Sequence, residues 1–306
     1  MIPSPRTATS LARLASGWAA GGIGFLMVML GGWWFTLAVG LIVHLGLLEF
    51  FRMARFKGIR PASRTTLVAV QLLLLTTQAA AGSGWFAPEV ANDLAAAVLP
   101  ASGAVICGWL LLQPTTGTIA DIAASIFGLF YLGFLPSHWL KLRDLVDPAL
   151  APSLAGANLP GTSWPWTSGL ALTLLACFLI VATDIGSYAI GRRWGRHPLS
   201  PISPGKTVEG ALGGIGCAVL VGALGGLWLG WPWGALVGGL LGGVVAVFAL
   251  VGDLTESMMK RDAGLKDSGD AIPGHGGILD RIDSYLFVPA VVYFAITLVY
   301  PLLQRT

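Results

Sequence analysis

The sequence predicts an all-α, polytopic integral membrane protein, and two observations predict it. Hydrophobic residues make up 55% of the 306 residues and charged residues only 11%, whereas soluble domains carry about 25% charged residues. The apolar residues also come in long blocks, each close to the roughly 20 residues with which a helix crosses a bilayer core. Because a helix satisfies its own backbone hydrogen bonds in lipid, we expect these blocks to be transmembrane helices.

The apolar blocks predict about nine transmembrane helices. The first two are joined so closely, at Gly31 and Gly32, that they resemble one long helix. The predicted spans are 17–32, 34–53, 65–84, 91–112, 118–136, 166–188, 209–229, 234–251 and 284–303.

Lys and Arg residues are concentrated in three of the segments between spans. Segments 52–64, 191–207 and 252–283 contain five, four and four of them, while the intervening segment 137–165 is nearly neutral. Basic residues favour the cytoplasmic side of a membrane. With nine spans, a cytoplasmic N-terminus puts all three basic segments on that side, which predicts a plasma-membrane (bacterial inner-membrane) protein with this orientation.

The composition argues against nucleic-acid binding, a disulfide framework and a zinc site. A net charge of +3 is too small to indicate nucleic-acid binding, so no nucleic acid is expected as a partner. The three cysteines, Cys107, Cys177 and Cys217, lie in apolar runs and indicate neither a disulfide framework nor a zinc site.

Segment 252–283 holds eleven of the chain's 33 Lys, Arg, Asp and Glu residues. Asp280 and Asp283 are three residues apart at the start of the last span, so both can face one hard cation. Helical spacing places acids and then bases on one face, formed by Asp253, Glu256, Ser257, Lys260 and Arg261. Ionisable groups at a membrane boundary are functional candidates, although a solvated loop can also be charged without performing chemistry.

The same segment is rich in glycine, at positions 264, 269, 274, 276 and 277. A glycine-rich backbone turns tightly and can offer its N–H groups to phosphate. Acids for a metal ion, basic side chains and exposed amides are the groups that phosphoryl or nucleotidyl transfer requires.

A second polar cluster runs from Asp184 to Glu209. Asp184 lies near the predicted cytoplasmic end of an apolar span. An acid there can belong to a functional site or simply pair with a neighbouring group. Lys206 is a candidate phosphate contact and Glu209 a candidate structural partner.

These residues resemble the signature of the phosphatidate cytidylyltransferases, the CDP-diacylglycerol synthases. The long match comprises Ser257-Met258-Met259-Lys260-Arg261, Lys266-Asp267, Gly269, Ile272-Pro273, His275-Gly276-Gly277, Asp280-Arg281 and Asp283. Further matches are Glu49-Phe50-Phe51, Asp184, Tyr188, Gly191-Arg192, Ser203-Pro204, Lys206-Thr207 and Glu209-Gly210. The resemblance covers most of the chain and is least distinctive in the first sixty residues and in 137–165.

The resemblance implies an activity in phospholipid biosynthesis, in which CTP and phosphatidate give CDP-diacylglycerol and pyrophosphate. It implies Mg²⁺ and a second, monovalent cation (K⁺), an all-helical membrane fold and commonly a homodimer. Within one membrane domain, residues 1–165 are then the N-terminal helices and outer loop, and residues 166–306 the catalytic region. Two alternatives stay open: a CTP-dependent enzyme acting on another lipid phosphate or a polyprenol, and a transporter.

The site residues expected from pattern and resemblance fall into three groups. The metal-binding group is Asp184, Asp253, Asp280 and Asp283. The catalytic group, which contacts or orients the reacting phosphates, is Glu256, Lys260, Arg261, Lys266, Asp267 and His275. The substrate-binding group is Arg192, Ser203, Lys206, Thr207, Gly276, Gly277 and Arg281.

Overall fold

The structure is a computed structural model, and it describes residues 21–82, 88–269 and 276–303. Its regular elements are helices, with two isolated β-bridges, which confirms the all-α class. In chain order the α-helices are α1 (Gly21–Leu30), α2 (Gly32–Phe56), α3 (Ser63–Gly82), α4 (Pro88–Leu111), α5 (Ile119–Leu129), α6 (Leu135–Arg143), α7 (Ser168–Trp194), α8 (Val208–Leu229), α9 (Gly234–Asp262), α10 (Leu279–Ile282), α11 (Val288–Phe294) and α12 (Tyr300–Leu303).

A helix lies at each of the nine predicted span positions. Six helical stretches are long and apolar enough to cross a membrane: Gly32–Phe56, Ile119–Arg143, Ser168–Trp194, Val208–Leu229, Gly234–Asp262 and Leu279–Leu302. Helix α1 and the stretch Ala96–Leu111 of α4 are shorter apolar helices. The chain is therefore a multi-spanning helical membrane protein, and the count of nine stays a prediction.

The junction between the first two helices is a backbone break at Gly31 and Gly32. Their φ angles are 66° and 50°, in the left-handed region that glycine adopts without steric cost. The Arg143 guanidinium donates hydrogen bonds to the carbonyls of Val28 (2.7 Å) and Met29 (3.1 Å), in the last turn of α1. The tight junction predicted from the sequence is confirmed.

Two span boundaries differ most from the prediction. The predicted span 118–136 continues to Arg143, because a π-helical turn at Phe130–Phe134 joins α5 to α6 without interruption. The predicted span 234–251 continues to Asp262, so the first part of the charged segment is the last part of α9. In both cases the helix runs on through polar residues because they pack against other elements, which hydropathy along the chain does not reveal.

The three basic segments meet at one end of the helix bundle, which we call the basic end. Lys57 forms an ion pair of 3.1 Å with Asp262, and Arg261 reaches the carbonyl of Ile202 at 3.5 Å. Segment 137–165 packs at the opposite end, where the Trp231 indole donates to the Leu150 carbonyl at 2.7 Å. The predicted separation of basic and neutral segments is confirmed.

Candidate active site

A cavity of about 600 Å³ opens at the basic end between α7, the start of α8, α9 and the segment that begins with α10. Its wall contains the carboxylates of Asp184, Asp253, Asp280 and Asp283. It also contains the cationic side chains of Arg192, Lys206, Lys260 and Arg281. The structure therefore brings together all four acids predicted as metal ligands, from three separate parts of the sequence.

The backbones of α9 and of the segment after α10 are in close contact beside two of these acids. A Cβ atom at Gly252 would lie 2.3 Å from the carbonyl oxygen of Asp283, so only glycine permits this approach. Asp253 follows Gly252 directly, and both Asp253 and Asp283 reach the cavity wall. The Asp283 carboxylate accepts a hydrogen bond of 2.7 Å from the Ser284 backbone N–H.

Lys206 reaches the cavity from a small hairpin between α7 and α8. The hairpin is closed by Leu199 N–H to Lys206 carbonyl (2.8 Å) and Val208 N–H to His197 carbonyl (2.9 Å). The Lys206 amine pairs with the Asp253 carboxylate. Burial lowers the pKa of Lys206, while the carboxylates of Asp283 and Asp184 act in the opposite direction.

Glu209 and Thr207 stabilise the hairpin at its return to α8. The Glu209 carboxylate accepts from the Arg196 backbone N–H at 3.0 Å and lies 2.6 Å from the His197 imidazole Nδ1. The Thr207 hydroxyl accepts from the Gly210 N–H at 3.1 Å and so caps α8. Glu209 is thus the structural partner that the sequence indicated, and Thr207 both caps α8 and lines the cavity.

Lys260 lies between two carboxylates. Its amine is 2.5 Å from Glu256 and 2.5 Å from Asp280. Glu256 is fully buried and lies outside the cavity wall, whereas Lys260 and Asp280 belong to it. This geometry fits the predicted role of Glu256 in orienting other site residues.

The Asp280 carboxylate is hydrogen-bonded at both oxygens. Oδ1 accepts from Lys260, and Oδ2 accepts from the backbone N–H groups of Ser268 (3.0 Å) and Gly277 (2.8 Å). Among the four predicted metal ligands, Asp280 is therefore the one most firmly held by the surrounding chain.

The remaining predicted residues lie outside the cavity wall or have other contacts. Arg261 is exposed, and its guanidinium faces the carbonyls of Ile202 (3.5 Å) and Leu265 (3.1 Å). Lys266 and Asp267 are exposed. The Ser203 carbonyl accepts from the Lys206 N–H at 3.1 Å within the hairpin turn.

Two further predictions concern the glycine-rich part of the segment. Gly276 has a φ angle of 79°, as a tight turn requires, and Gly277 donates its N–H to Asp280. His275 lies outside the described residues. The carboxylate of Glu49 contacts this same turn. The family resemblance included Glu49 but gave it no role, although an acid within an otherwise apolar span was a further signal.

The four wall carboxylates are oxygen ligands of the kind that Mg²⁺ takes. Within the described ranges, no three Asp, Glu, His or Cys side chains converge closely enough to hold a metal ion alone. Mg²⁺ usually takes one or two protein carboxylates and completes its shell with water and substrate phosphates. Four carboxylates on the wall of one cavity are consistent with that mode of binding.

Comparison with known proteins identifies the family. The model of the cytidylyltransferase family matches residues 11–299 of this chain. The chain belongs to the cytidylyltransferase family. It is 48% identical over 292 residues to the phosphatidate cytidylyltransferase of Synechocystis sp., covering 92% of this chain and 95% of that protein.

Two further relatives extend the comparison. The chloroplastic phosphatidate cytidylyltransferase 5 of Arabidopsis thaliana is 39% identical over 298 residues, covering 92% of this chain and 69% of the plant protein. The phosphatidate cytidylyltransferase of Bacillus subtilis is 29% identical over 287 residues, covering 94% and 97%. The resemblance drawn from the signature is confirmed. This cytidylyltransferase is an enzyme that transfers nucleotidyl groups, which disfavours the alternative of a transporter.

Proposed function

We propose that this enzyme transfers the cytidylyl group of CTP to phosphatidate, giving CDP-diacylglycerol and pyrophosphate. The observation that carries the proposal is the family match over almost the whole chain, together with a charged cavity at one end of a transmembrane bundle. An oxygen of the lipid phosphate attacks the α-phosphorus of CTP. The bond from that phosphorus to the β-phosphate oxygen breaks, and its electron pair leaves with pyrophosphate.

The chain's own residues serve positioning and charge neutralisation. The phosphate nucleophile is anionic at neutral pH, so the obstacle is the repulsion between two phosphate groups rather than proton removal. Lys206, Lys260, Arg192 and Arg281 on the cavity wall supply positive charge where the two substrates meet. Helices around the cavity leave the acyl chains in the bilayer while the phosphate reaches the polar wall.

We also propose Mg²⁺ as the cofactor, held by Asp253 and Asp283 with Asp184 and Asp280 nearby. Bound Mg²⁺ neutralises phosphate charge and orients the attacking and leaving oxygens. Support for a second, monovalent cation such as K⁺ comes from the family resemblance.

We further propose that the cavity faces the cytoplasm in the plasma (bacterial inner) membrane, and that the enzyme is a homodimer. The orientation is supported by the three basic segments at one end of the bundle. Single cysteines replacing Lys57 at the basic end and exposed Val146 at the opposite end test it in spheroplasts. An impermeant thiol reagent that labels position 57 but not 146 would reverse the orientation. Support for the homodimer comes from the family resemblance, and mass measurement in nanodiscs tests it.

One assay tests the reaction. Purified protein in detergent is incubated with labelled CTP, Mg²⁺ and phosphatidate, and the lipid phase is examined for labelled cytidine. Parallel reactions contain a polyprenyl phosphate or an isoprenoid-ether lipid phosphate instead. We expect a lipid-soluble product in the reaction with phosphatidate and none in the reactions with the other lipid phosphates. Product only with another lipid phosphate would overturn the substrate, and no product with any of them would overturn the function.

A further inference from the structure

Glu49 joins the N-terminal helices to the segment that carries the catalytic signature. It lies on α2 and is only 8% exposed. Its Oε1 accepts from the Ile278 N–H at 2.9 Å, and its Oε2 accepts from the Leu279 N–H at 2.9 Å and the Ser268 hydroxyl at 2.8 Å. Three donors from two parts of the segment therefore converge on one buried carboxylate, more than 200 positions away in sequence.

Ser268 connects Glu49 to the active-site acid Asp280. The Ser268 hydroxyl lies 2.8 Å from Glu49 Oε2 and 3.1 Å from Asp280 Oδ2, so its single hydrogen is shared between the two carboxylates. Asp280 Oδ1 in turn accepts from Lys260 at 2.5 Å. A continuous buried chain of hydrogen bonds thus runs from α2 to the cavity wall, and Glu49 itself does not line the cavity.

Two glycines of the signature make room for the Glu49 carboxylate. A Cβ atom at Gly269 would lie 2.6 Å from Glu49 Oε1, and one at Gly277 would lie 2.4 Å from Glu49 Oε2. These distances are shorter than any normal contact, so a side chain at either position displaces Glu49. Gly269 and Gly277 were predicted to expose amides to phosphate, but these contacts give them a packing role against Glu49.

We propose that Glu49 is a positioning residue of the active site. By holding Ser268 and the N–H groups of Ile278 and Leu279, it fixes the position of Asp280 and, through Asp280, that of Lys260. The inference rests on the proposed function, because that function assigns Asp280 to the metal centre and Lys260 to the reacting phosphates.

Both oxygens of the Glu49 carboxylate act as acceptors in this arrangement. A carboxylate offers only acceptors to the three donors, whereas the amide of Gln has one oxygen and one NH₂ group. In Glu49→Gln, the NH₂ group must face at least one backbone N–H, which leaves buried donors without acceptors. A fixed group that orients a ligand or catalytic side chain typically accounts for about 10–100-fold in affinity or activity.

The test compares Glu49→Gln with Thr36→Val, a buried polar change at the opposite end of the same helix. Thr36 is 2% exposed and donates to Gln78 at 2.7 Å, outside the cavity wall. Hydrogen exchange of residues 276–282, the melting temperature, and kcat and KM for both substrates are measured. In Glu49→Gln we expect faster exchange in 276–282 and a kcat lowered by about 10–100-fold. In Thr36→Val we expect wild-type exchange in 276–282 and wild-type kcat. We also expect its melting temperature to be comparable to that of Glu49→Gln.

Ser268→Ala keeps the test valid if Glu49→Gln does not fold. It removes only the shared hydroxyl, and we expect a smaller loss of kcat than in Glu49→Gln, with KM for CTP unchanged. The inference would be overturned if Glu49→Gln had wild-type exchange and wild-type kcat. If Glu49→Gln does not fold, a wild-type kcat in Ser268→Ala would overturn it. So would an equal loss of kcat in Thr36→Val. Failure of the proposed function is a different result, since the wild-type protein then lacks turnover while the exchange comparison still reports on Glu49.

Discussion

The two ends of the bundle use polar residues in different ways. At the end opposite the basic segments, Thr36 donates to Gln78 at 2.7 Å and Gln78 donates to Asp144 at 2.7 Å. Arg143 is bonded to the carbonyls where α1 ends. Each of these groups has a protein partner, and together they fasten α1, α2, α3 and α6 to one another.

The cavities at the two ends differ in the same way. The cavity at the opposite end, of about 460 Å³, is lined mainly by Ala, Leu and aromatic residues, with Lys141 and Asp144 as its charged residues. Burial raises the pKa of Asp144, and the hydrogen bond from Gln78 opposes this shift. The cavity at the basic end has four carboxylates and four cationic groups on its wall. The number of charged groups on the cavity wall, eight at the basic end against two at the opposite end, distinguishes the site from the structural end.

Removing one wall carboxylate should have the largest effect. Asp283→Asn should lower CTP-dependent turnover by roughly 10³-fold, because metal-ion stabilisation of phosphoryl charge is worth several kcal/mol and each 1.4 kcal/mol is about tenfold in rate. Asp283 is a better test than Asp280, since Asp280→Asn would also disturb the hydrogen bonds from Ser268 and Gly277. Turnover is measured as labelled cytidine in the lipid phase.

The matched control is Asp144→Asn at the opposite end. Asn keeps an oxygen that can accept from Gln78, so we expect turnover within about twofold of wild type. Equal losses in Asp283→Asn and Asp144→Asn would contradict the distinction between the two ends.

Removing one wall cation should have an intermediate effect. Lys206→Met should lower kcat/KM for CTP by about 10–100-fold, because a hydrogen bond to a charged group is worth about 1.5–3 kcal/mol. Steady-state kinetics with varied CTP measure this change. Lys57→Met removes a cation at the same end whose partner, Asp262, is exposed. Exposed ion pairs contribute about 0–1 kcal/mol, so wild-type kinetics are expected there, and a similar loss in both variants would remove Lys206 from the site.

Removing the cation Arg143 at the opposite end should change stability and leave kinetics unchanged. Arg143→Gln loses charged hydrogen bonds to Val28 and Met29, at a cost of about 1.5–3 kcal/mol. We expect a lower melting temperature in detergent, with unchanged KM for CTP in the protein that remains folded. A changed KM at an unchanged melting temperature would indicate that the two ends are coupled.

The sequence determined the class of the protein and the chemical character of its site. In the bilayer core no water is present to bond with the backbone, so long apolar blocks must form helices that satisfy their own hydrogen bonds. The spans therefore followed from composition and length. The distribution of Lys and Arg predicted which segments share an end. Spacing in the signature placed Asp253, Glu256 and Lys260 on one helical face, and the structure confirms α9 through this region.

Only the tertiary structure decided how these residues are divided between chemistry and support. Asp280 and Asp283 look equivalent in sequence, yet Asp280 is bonded at both oxygens to Lys260, Ser268 and Gly277. Arg261 and Lys260 are adjacent in sequence, yet Arg261 faces backbone carbonyls whereas Lys260 lines the cavity. Glu49 reaches the signature from the first half of the chain. Spacing along one helix gives the direction of a side chain, but its partners come from distant segments, and only folding of the bundle brings them into contact.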